Sequence, residues 1–312
     1  MKTGVFLSYI GLGSNLLHLT YCHEIAKKHG PITLLTTCQN AKQALEDDPL
    51  IDEIIYVDEY YKKFFDIFKL GKNWSKYQFD NFFILYPSIR YYFAAKIAGF
   101  KNIKTYSFFK KKNLHLVKTA QKFIIKNLDL KSCPTETKFF IKEEKKNNAK
   151  KYIKKDKKNI ILGVGSSGPS AKWGAKNYTN LINKLNENDN FFFYLLCGPN
   201  ETNISSEIIS DSKKKNIFSL SNMKINEVIP LIALCDLYVG NDSFGHHVTS
   251  QCGLPSIVLM LDSPKAYSDY SINHYRILPE GIELNSISHG SMFSPEQITV
   301  NQVYNKVISL IS

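Results

Sequence analysis

The feature that most constrains this chain is a pattern that opens it and recurs after residue 158. A short apolar run stops at glycine, an amphipathic stretch follows, and another apolar run begins. First, Val5–Tyr9 is broken by Gly11-Leu12-Gly13-Ser14-Asn15, an amphipathic stretch runs from Leu16 to His29, Gly30-Pro31 ends it, and Ile32–Thr36 follows. Strand, glycine turn, helix and strand in that order make a βαβ unit, whose crossover joins parallel strands. The alternation predicts a helix over Ala41–Asp47, strands over Glu53–Val57 and Phe82–Tyr86, and a helix over Ile89–Ala98. A second series opens with a strand at Asn159–Gly163, a helix at Tyr178–Leu185 and strands at Phe191–Cys197 and Ile217–Leu220. It continues with a helix at Ile225–Cys235 and strands at Leu237–Gly240 and Pro255–Leu259. Two such series predict an α/β protein of two doubly wound parallel-sheet domains, with ligands bound in the cleft where the strand C-termini meet. The lysine-rich stretch Phe139–Lys155, read as helical, lies behind Pro134 and marks the junction. The expected domains are therefore 1–136 and 137–312, the last helix starting at the Ser294-Pro295-Glu296 cap signal and covering 295–312.

A length of 312 residues suits two such domains. The charge balance, 40 Lys+Arg against 28 Asp+Glu, gives +12, yet only Arg90 and Arg276 are arginines. Nucleic-acid readers rely on arginine forks for bases and phosphates, so no nucleic-acid partner is expected. The surplus reads as lysine on solvated faces, with at most peripheral attraction to an anionic membrane. Neither lysine cluster, Lys110–Lys112 or Lys142–Lys158, shows a strong apolar face beside it. The opening residues pass from a short strand to glycines, unlike a signal peptide, and no apolar run approaches the ~20 residues that span a bilayer. Six scattered cysteines form neither a CxxC pair nor a Cys/His cluster at metal spacing. A cytoplasmic protein with reduced thiols, no bound metal and no cofactor is expected.

Four constellations could carry chemistry. Gly11-Leu12-Gly13 lies between strand and helix, but a dinucleotide fingerprint would place glycine at Leu16 and an acid near Thr37 and Cys38. That argues against a nicotinamide oxidoreductase and leaves a tight packing turn, or a helix N-terminus that favours anions near Ser14 and Asn15. Gly163–Trp173 runs from a strand into a Ser/Gly-rich loop holding Ser166 and Ser167, then Lys172. Small residues let a phosphate approach the backbone, hydroxyls donate to it and lysine supplies a point charge; the other reading is a flexible loop with a solvated lysine. Cys197-Gly198-Pro199-Asn200-Glu201 ends another strand, where Glu201 could accept ribose hydroxyls or complement a helix dipole. Val239-Gly240-Asn241-Asp242-Ser243-Phe244-Gly245-His246-His247 ends a third, with Asp242 or Ser243 capping the next helix. There His247 reads as buried and His246 as pointing to solvent.

Taken in order, the N-terminal GxG turn, DDPLIDEIIYVD, LYPSIR, GSSGPSAKW, CGPNE and VGNDSFGHH…CGLP resemble glycosyltransferase family 9, the ADP-heptose:lipopolysaccharide heptosyltransferases. The resemblance spans almost the whole chain and is most specific at Ala171-Lys172-Trp173 and at Gly240-Asn241-Asp242-Ser243 with His247 and Gly253-Leu254-Pro255. It implies a GT-B fold, two Rossmann-like domains around a cleft with the final helix packing back on the first. It also implies inverting sugar transfer without a metal, from a nucleoside-diphosphate donor such as ADP-heptose to a glycan or lipid-linked glycan acceptor. The site would lie at the cytoplasmic membrane face.

Carried over, Lys172 would neutralise the donor diphosphate and Ser166 or Ser167 would bond it. Glu201 would hold the ribose. Asp242, Ser243 and amides of the following helix, Gly245 among them, would line the phosphate and sugar, with His247 on the family's histidine. The family's first motif is Gly-Asp-Val, its aspartate the general base, where this chain has Gly13-Ser14-Asn15. A serine is no base at neutral pH. His18, four residues on and on the same helical face as Ser14, is the candidate replacement, the alternative being that it packs on the sheet or pairs with Ser14. The rival to a transferase is a catalytically silent relative that binds sugar nucleotides without turnover.

Overall fold

The computed structural model describes residues 1–58, 65–106, 115–166, 172–188, 190–291 and 293–311. Ser167, Ala171 and the Lys110–Lys112 cluster lie outside them. The chain divides into two compact units, Met1–Phe140 and Ile141–Ser312.

The first unit runs β1 (Thr3–Leu7), α1 (Leu12–Leu17), α2 (Leu19–His29), β2 (Ile32–Thr36), α3 (Ala41–Ala44) and β3 (Ile51–Tyr56). It continues through α4 (Asp66–Trp74), β4 (Asn81–Ile84), α5 (Ile89–Ile97), β5 (Asn102–Thr105) and α6 (Leu116–Leu128). Its sheet has the order β3-β2-β1-β4-β5, every pairing parallel. Both faces are covered, so β1 buries all five of its residues instead of alternating. On one face Phe6 meets Trp74 of α4 and Tyr91 of α5; on the other, Phe83 meets Phe123 of α6. Strand order reverses between β1 and β4, which makes the loop after β1 the switch point.

The expected helix over Leu16–His29 starts earlier and is broken at His18. The His18 Nδ1 takes the Ser14 carbonyl at 2.7 Å, and its amide bonds instead to Asn15, three residues back. A side chain that captures a carbonyl removes one rung of the helix ladder.

The second unit contains α7 (Glu143–Ala149), β6 (Lys158–Gly163), α8 (Ala175–Leu185), β7 (Phe191–Leu196), α9 (Thr202–Asp211) and β8 (Ile217–Ser219). Then come α10 (Ile225–Ile232), β9 (Leu237–Asn241), α11 (Phe244–Gln251), β10 (Ser256–Leu259), β11 (His274–Ile277) and α12 (Val300–Ile311). This sheet is also wholly parallel, ordered β11-β10-β9-β6-β7-β8. The lysine-rich segment forms only the short α7 and a 3₁₀ turn at Lys150–Tyr152, its like charges one turn apart opposing a longer helix. The expected last helix divides into a 3₁₀ turn at Pro295–Gln297, where the Ser294 amide donates to the Gln297 side chain at 3.0 Å, and α12, where Thr299 and Gln302 form a capping box. In this unit α12 packs on α8 and buries Val303 and Val307.

One packing detail positions the site. Gly163 of β6 pairs with Gly240 of β9, so close that a Cβ on Gly240 would lie 2.6 Å from the Gly163 backbone. A Cβ on Gly163 would meet the Tyr238 hydroxyl at 1.8 Å. The bare backbone lets that buried phenol reach the strand end, where it donates to the Asn241 carbonyl at 2.6 Å. Among the described residues no helix is long and apolar enough to cross a membrane.

Candidate functional site

In the second unit the sheet reverses at β6, and the C-terminal ends of β9, β6 and β7 lie side by side. Motifs far apart in sequence meet there. After β6, the Ser166 amide donates to Glu201 Oε1 at 3.2 Å; after β7, the Gly198 amide donates to Oε2 at 3.2 Å. Lys172 also pairs with Oε1 of Glu201. Burial alone would raise the Glu201 pKa, but Lys172 and the two amides outweigh it and hold the carboxyl below its ordinary value. A Cβ on Gly165 would lie 2.1 Å from Glu201 Oε2, so only glycine admits the carboxylate this close. The Ser166 hydroxyl, withdrawn from solvent, has no hydrogen-bond partner among the described residues.

Asn241, at the end of β9, ties this arrangement together. Its side chain accepts from the Trp173 amide at 3.1 Å and donates to the Val164 carbonyl at 3.1 Å. The residues before and after the Ser/Gly-rich loop are thereby fixed to β9. Sequence reading noted Asn241 only as part of a motif, since both of its partners lie at least 68 positions away.

Beside it, Ser243 caps α11, its hydroxyl accepting from the Gly245 amide at 3.3 Å and lying 3.0 Å from the Tyr238 hydroxyl. A Cβ on Gly245 would lie 2.5 Å from Leu196, so this glycine admits the helix against β7. The expectation that His246 points to solvent is overturned: it is fully buried. Its Nε2 meets the Tyr267 carbonyl at 3.1 Å, which can only accept, so Nε2 carries the proton. Nδ1 is then a lone pair that accepts the Ser243 amide at 3.3 Å. Burial lowers the His246 pKa to about 4, so the ring is neutral at pH 7. His247 is also fully buried, with Nδ1 bonded to the Tyr270 hydroxyl and Nε2 3.8 Å from Asp242 Oδ1.

Asp242 sits among these groups. Oδ1 is 3.3 Å from the His246 Nδ1 lone pair, and Oδ2 accepts from the Ser263 hydroxyl. Two lone pairs facing each other repel unless a proton lies between them. Burial pushes the Asp242 pKa up to about 7, with Asp262 adding to the rise while Ser263 and His289 oppose it. The carboxyl therefore keeps its proton to near-neutral pH, so that no carboxylate charge faces the His246 lone pair. The ligating atoms of Asp242, His246 and His247 lie within 4.8 Å of one another, close enough to share a divalent cation, a grouping that sequence spacing did not reveal.

In the first unit, Asn15 fixes the loop after β1. Its side chain donates to the Tyr9 and Gly11 carbonyls, both at 2.8 Å, and accepts from Thr36 at 2.6 Å. Ser14 is half-buried at the start of α1. His18 is fully buried and stacks on Tyr9 with ring centroids 4.7 Å apart. With Nδ1–H donating to Ser14, Nε2 is a lone pair without a hydrogen-bond partner among the described residues, and burial lowers the ring's pKa to about 4. His23 is engaged at both nitrogens, by Asp48 at 2.6 Å and Thr137 at 2.7 Å.

No curated protein matches the chain. In structure it is similar to a family 9 glycosyl transferase from Veillonella parvula, 19% identical, TM-score 0.77, covering 99% of this chain and 96% of that one. It is also similar to ADP-heptose lps heptosyltransferase II from Escherichia coli, 17% identical, TM-score 0.71, covering 99% and 98%. A third likeness is to the E. coli heptosyltransferase WaaC with ADP-2-deoxy-2-fluoro heptose, 13% identical, TM-score 0.73, covering 99% of both chains. Two parallel-sheet α/β units are thus the fold expected of GT-B. The profile of glycosyltransferase family 9 (heptosyltransferase) matches residues 89–271, more than half of the chain, and the chain belongs to that family.

Proposed function

We propose that this protein transfers a sugar, a heptose carried by ADP, to a lipopolysaccharide or other cell-surface glycan at the cytoplasmic face of a membrane. In this reading transfer proceeds with inversion and without a metal ion. One observation carries it: a hydroxyl without a hydrogen-bond partner among the described residues (Ser166), a lysine (Lys172), a carboxylate (Glu201) and a helix N-terminus capped by Ser243 stand at adjacent strand ends of one sheet. A departing nucleoside diphosphate gains negative charge in the transition state, which Lys172 and the α11 N-terminus would meet. Lys172 would exchange Glu201 for the diphosphate, and Glu201 would then be open to the ribose hydroxyls. Asp242, protonated near neutrality, would face the phosphates without repelling them. The similar E. coli heptosyltransferases, one of them with ADP-2-deoxy-2-fluoro heptose, and membership of the heptosyltransferase family support an ADP-linked heptose as donor.

The first unit presents Ser14 and His18 where the family resemblance places acceptor activation. Ser14 cannot act as the base, while the neutral His18 presents a lone pair on Nε2. The experiment is transfer and hydrolysis across a panel of nucleoside-diphosphate sugars, each with and without EDTA, beside calorimetric binding of the same donors. Turnover of a heptose donor that EDTA leaves intact supports the reading. Binding without turnover would instead establish a catalytically silent relative. Loss of activity that Mg²⁺ restores would overturn the metal-free chemistry.

A further inference from the structure

Of ten large apolar side chains that are exposed among the described residues, five lie on two neighbouring helices of the first unit. Phe65 immediately precedes α4 and Phe68 lies in its first turn; Ile89, Phe93 and Ile97 form an i, i+4, i+8 stripe along α5. They are between 42% and 76% exposed. Both helices cover the same sheet face, burying Ile67, Leu70 and Trp74 from α4 and Tyr91, Ala94 and Ala95 from α5 in one core cluster. Their opposite faces therefore point outward on the same side. Gly71 permits the close crossing: a Cβ there would lie 2.6 Å from Ile97 and 2.9 Å from the Ala94 carbonyl.

The charged residues on this surface are predominantly basic. Lys69, Lys72 and Lys96 are exposed, and Arg90 is partly so; the only acid in the two segments 65–74 and 89–97 is Asp66. Two copies of the chain meeting through this face would set lysines against lysines, at a cost in like-charge repulsion. Phenylalanine and isoleucine beside flexible lysine stems suit a water–lipid boundary, where rings enter the acyl edge and ammonium groups stay among phosphates.

We infer that the outward face of α4 and α5 is a docking surface for an anionic lipid bilayer, anchored by Phe68 and Phe93 and held by Lys69, Lys72 and Lys96. The surface stands on its own geometry and not on the reaction proposed above; its test involves no turnover. Peripheral attachment needs two signals, because neither a few rings nor a few charges alone hold a protein to a membrane.

The experiment uses the full chain in co-sedimentation with phosphatidylcholine vesicles, with and without roughly a third phosphatidylglycerol. At roughly 0.1 M salt the wild type should bind the anionic vesicles and not the neutral ones, and at roughly 1 M salt binding should fall sharply. Phe68→Ser with Phe93→Ser, and separately Lys69→Glu with Lys72→Glu and Lys96→Glu, should each weaken binding about tenfold or more. Phe93→Trp supplies a readout that does not depend on a damaging change. Its emission should shift to the blue with anionic vesicles and be quenched by brominated lipid, while Trp74 and Trp173 are buried and stay silent. Wild-type binding indifferent to lipid charge, variants that bind as the wild type does, or an unchanged Phe93→Trp emission would overturn the inference. So would sedimentation velocity showing a wild-type dimer that the phenylalanine double variant dissociates, which would assign the face to a second copy.

Discussion

Replacing Asp242 by Asn tests the proton held by Asp242 beside His246. The aspartate pKa is about 7 in the folded protein against 3.8 for the free side chain. Between those values the folded state holds a proton that the unfolded chain has released. Stability from this group is therefore fully present below pH ~4 and lost as pH rises through ~7. A difference of about three units corresponds to about 4 kcal/mol. His246 acts in the opposite sense: its pKa falls from 6.5 to about 4, so stability grows as pH rises through that window, by about 3 kcal/mol. In the wild type the two slopes nearly cancel between pH 4 and 6.5. Asparagine has the shape of the protonated carboxyl and, like it, sets no charge against the His246 ring, but it has no proton to lose. Asp242→Asn should thus be close to neutral for stability near pH 4 and should gain on the wild type by about 4 kcal/mol by pH 7.5. For a unit of this size that is on the order of 10 °C in Tm. Calorimetric melting of both proteins across pH 4–8 reads the difference directly. A Tm gap that stays constant with pH would exclude a proton on Asp242 near neutrality, because the carboxyl would then be ionised throughout.

Three further outcomes follow from the same geometry. Lys172→Ala should weaken nucleoside-diphosphate binding by about 1.5–3 kcal/mol in calorimetry, the value of one charge-assisted hydrogen bond; unchanged affinity would remove Lys172 from the site. Gly240→Ala forces a Cβ to within 2.6 Å of the Gly163 backbone and should lower Tm by at least several degrees, at a cost of about 1–3 kcal/mol; an unchanged Tm would mean that β6 and β9 can separate freely. His18→Ala should cost roughly 10²-fold in turnover with donor affinity unchanged, while Ser14→Asp keeps or raises activity. With the His18 pKa near 4, its protonation should not depress the rate between pH 5 and 7, and full turnover in the alanine variant would place the base elsewhere.

The alternation of apolar runs and glycine turns was enough to read the inner strands of both parallel sheets but not the edge strands β5 and β11, because period and turn chemistry are local properties. A cap of α11 at Asp242 or Ser243 was legible for the same reason, and the structure selects Ser243. What local pattern did not contain was adjacency. Lys172 and Glu201 each stood out in sequence, but their contact follows from β6 and β7 lying side by side, which strand order alone decides. His246 looked solvent-facing because one of the groups that bury it, the Tyr267 carbonyl, comes 21 residues later. The short edge strand β5 escaped notice because its exposed and half-buried residues Asn102–Thr105 carry little apolar signal. The break at His18 escaped as well: helical periodicity does not register a side chain that competes for a backbone carbonyl.

The charges at the strand ends explain how one site can both stay folded without a ligand and receive an anion. Without donor, Lys172 is matched by Glu201, and the Asp242 carboxyl near neutrality carries its own proton, so no full charge is left uncompensated among these three. A diphosphate arriving at the α11 N-terminus would find the helix dipole, the Ser166 hydroxyl and a lysine whose present partner has two other donors, the Ser166 and Gly198 amides. Glu201 can therefore give up the lysine without becoming an unsatisfied buried carboxylate, and its freed oxygen is the acceptor that a sugar hydroxyl needs. The diphosphate's charge would in turn raise the Asp242 pKa further, because like charges disfavour its ionised form. Donor binding just above pH 7 should then draw a fraction of a proton from solvent. Calorimetry in buffers of different ionisation enthalpy measures that uptake, and its disappearance in Asp242→Asn would assign the proton to this carboxyl. Equal uptake in both proteins would assign it to another group and leave Asp242 a structural partner of His246.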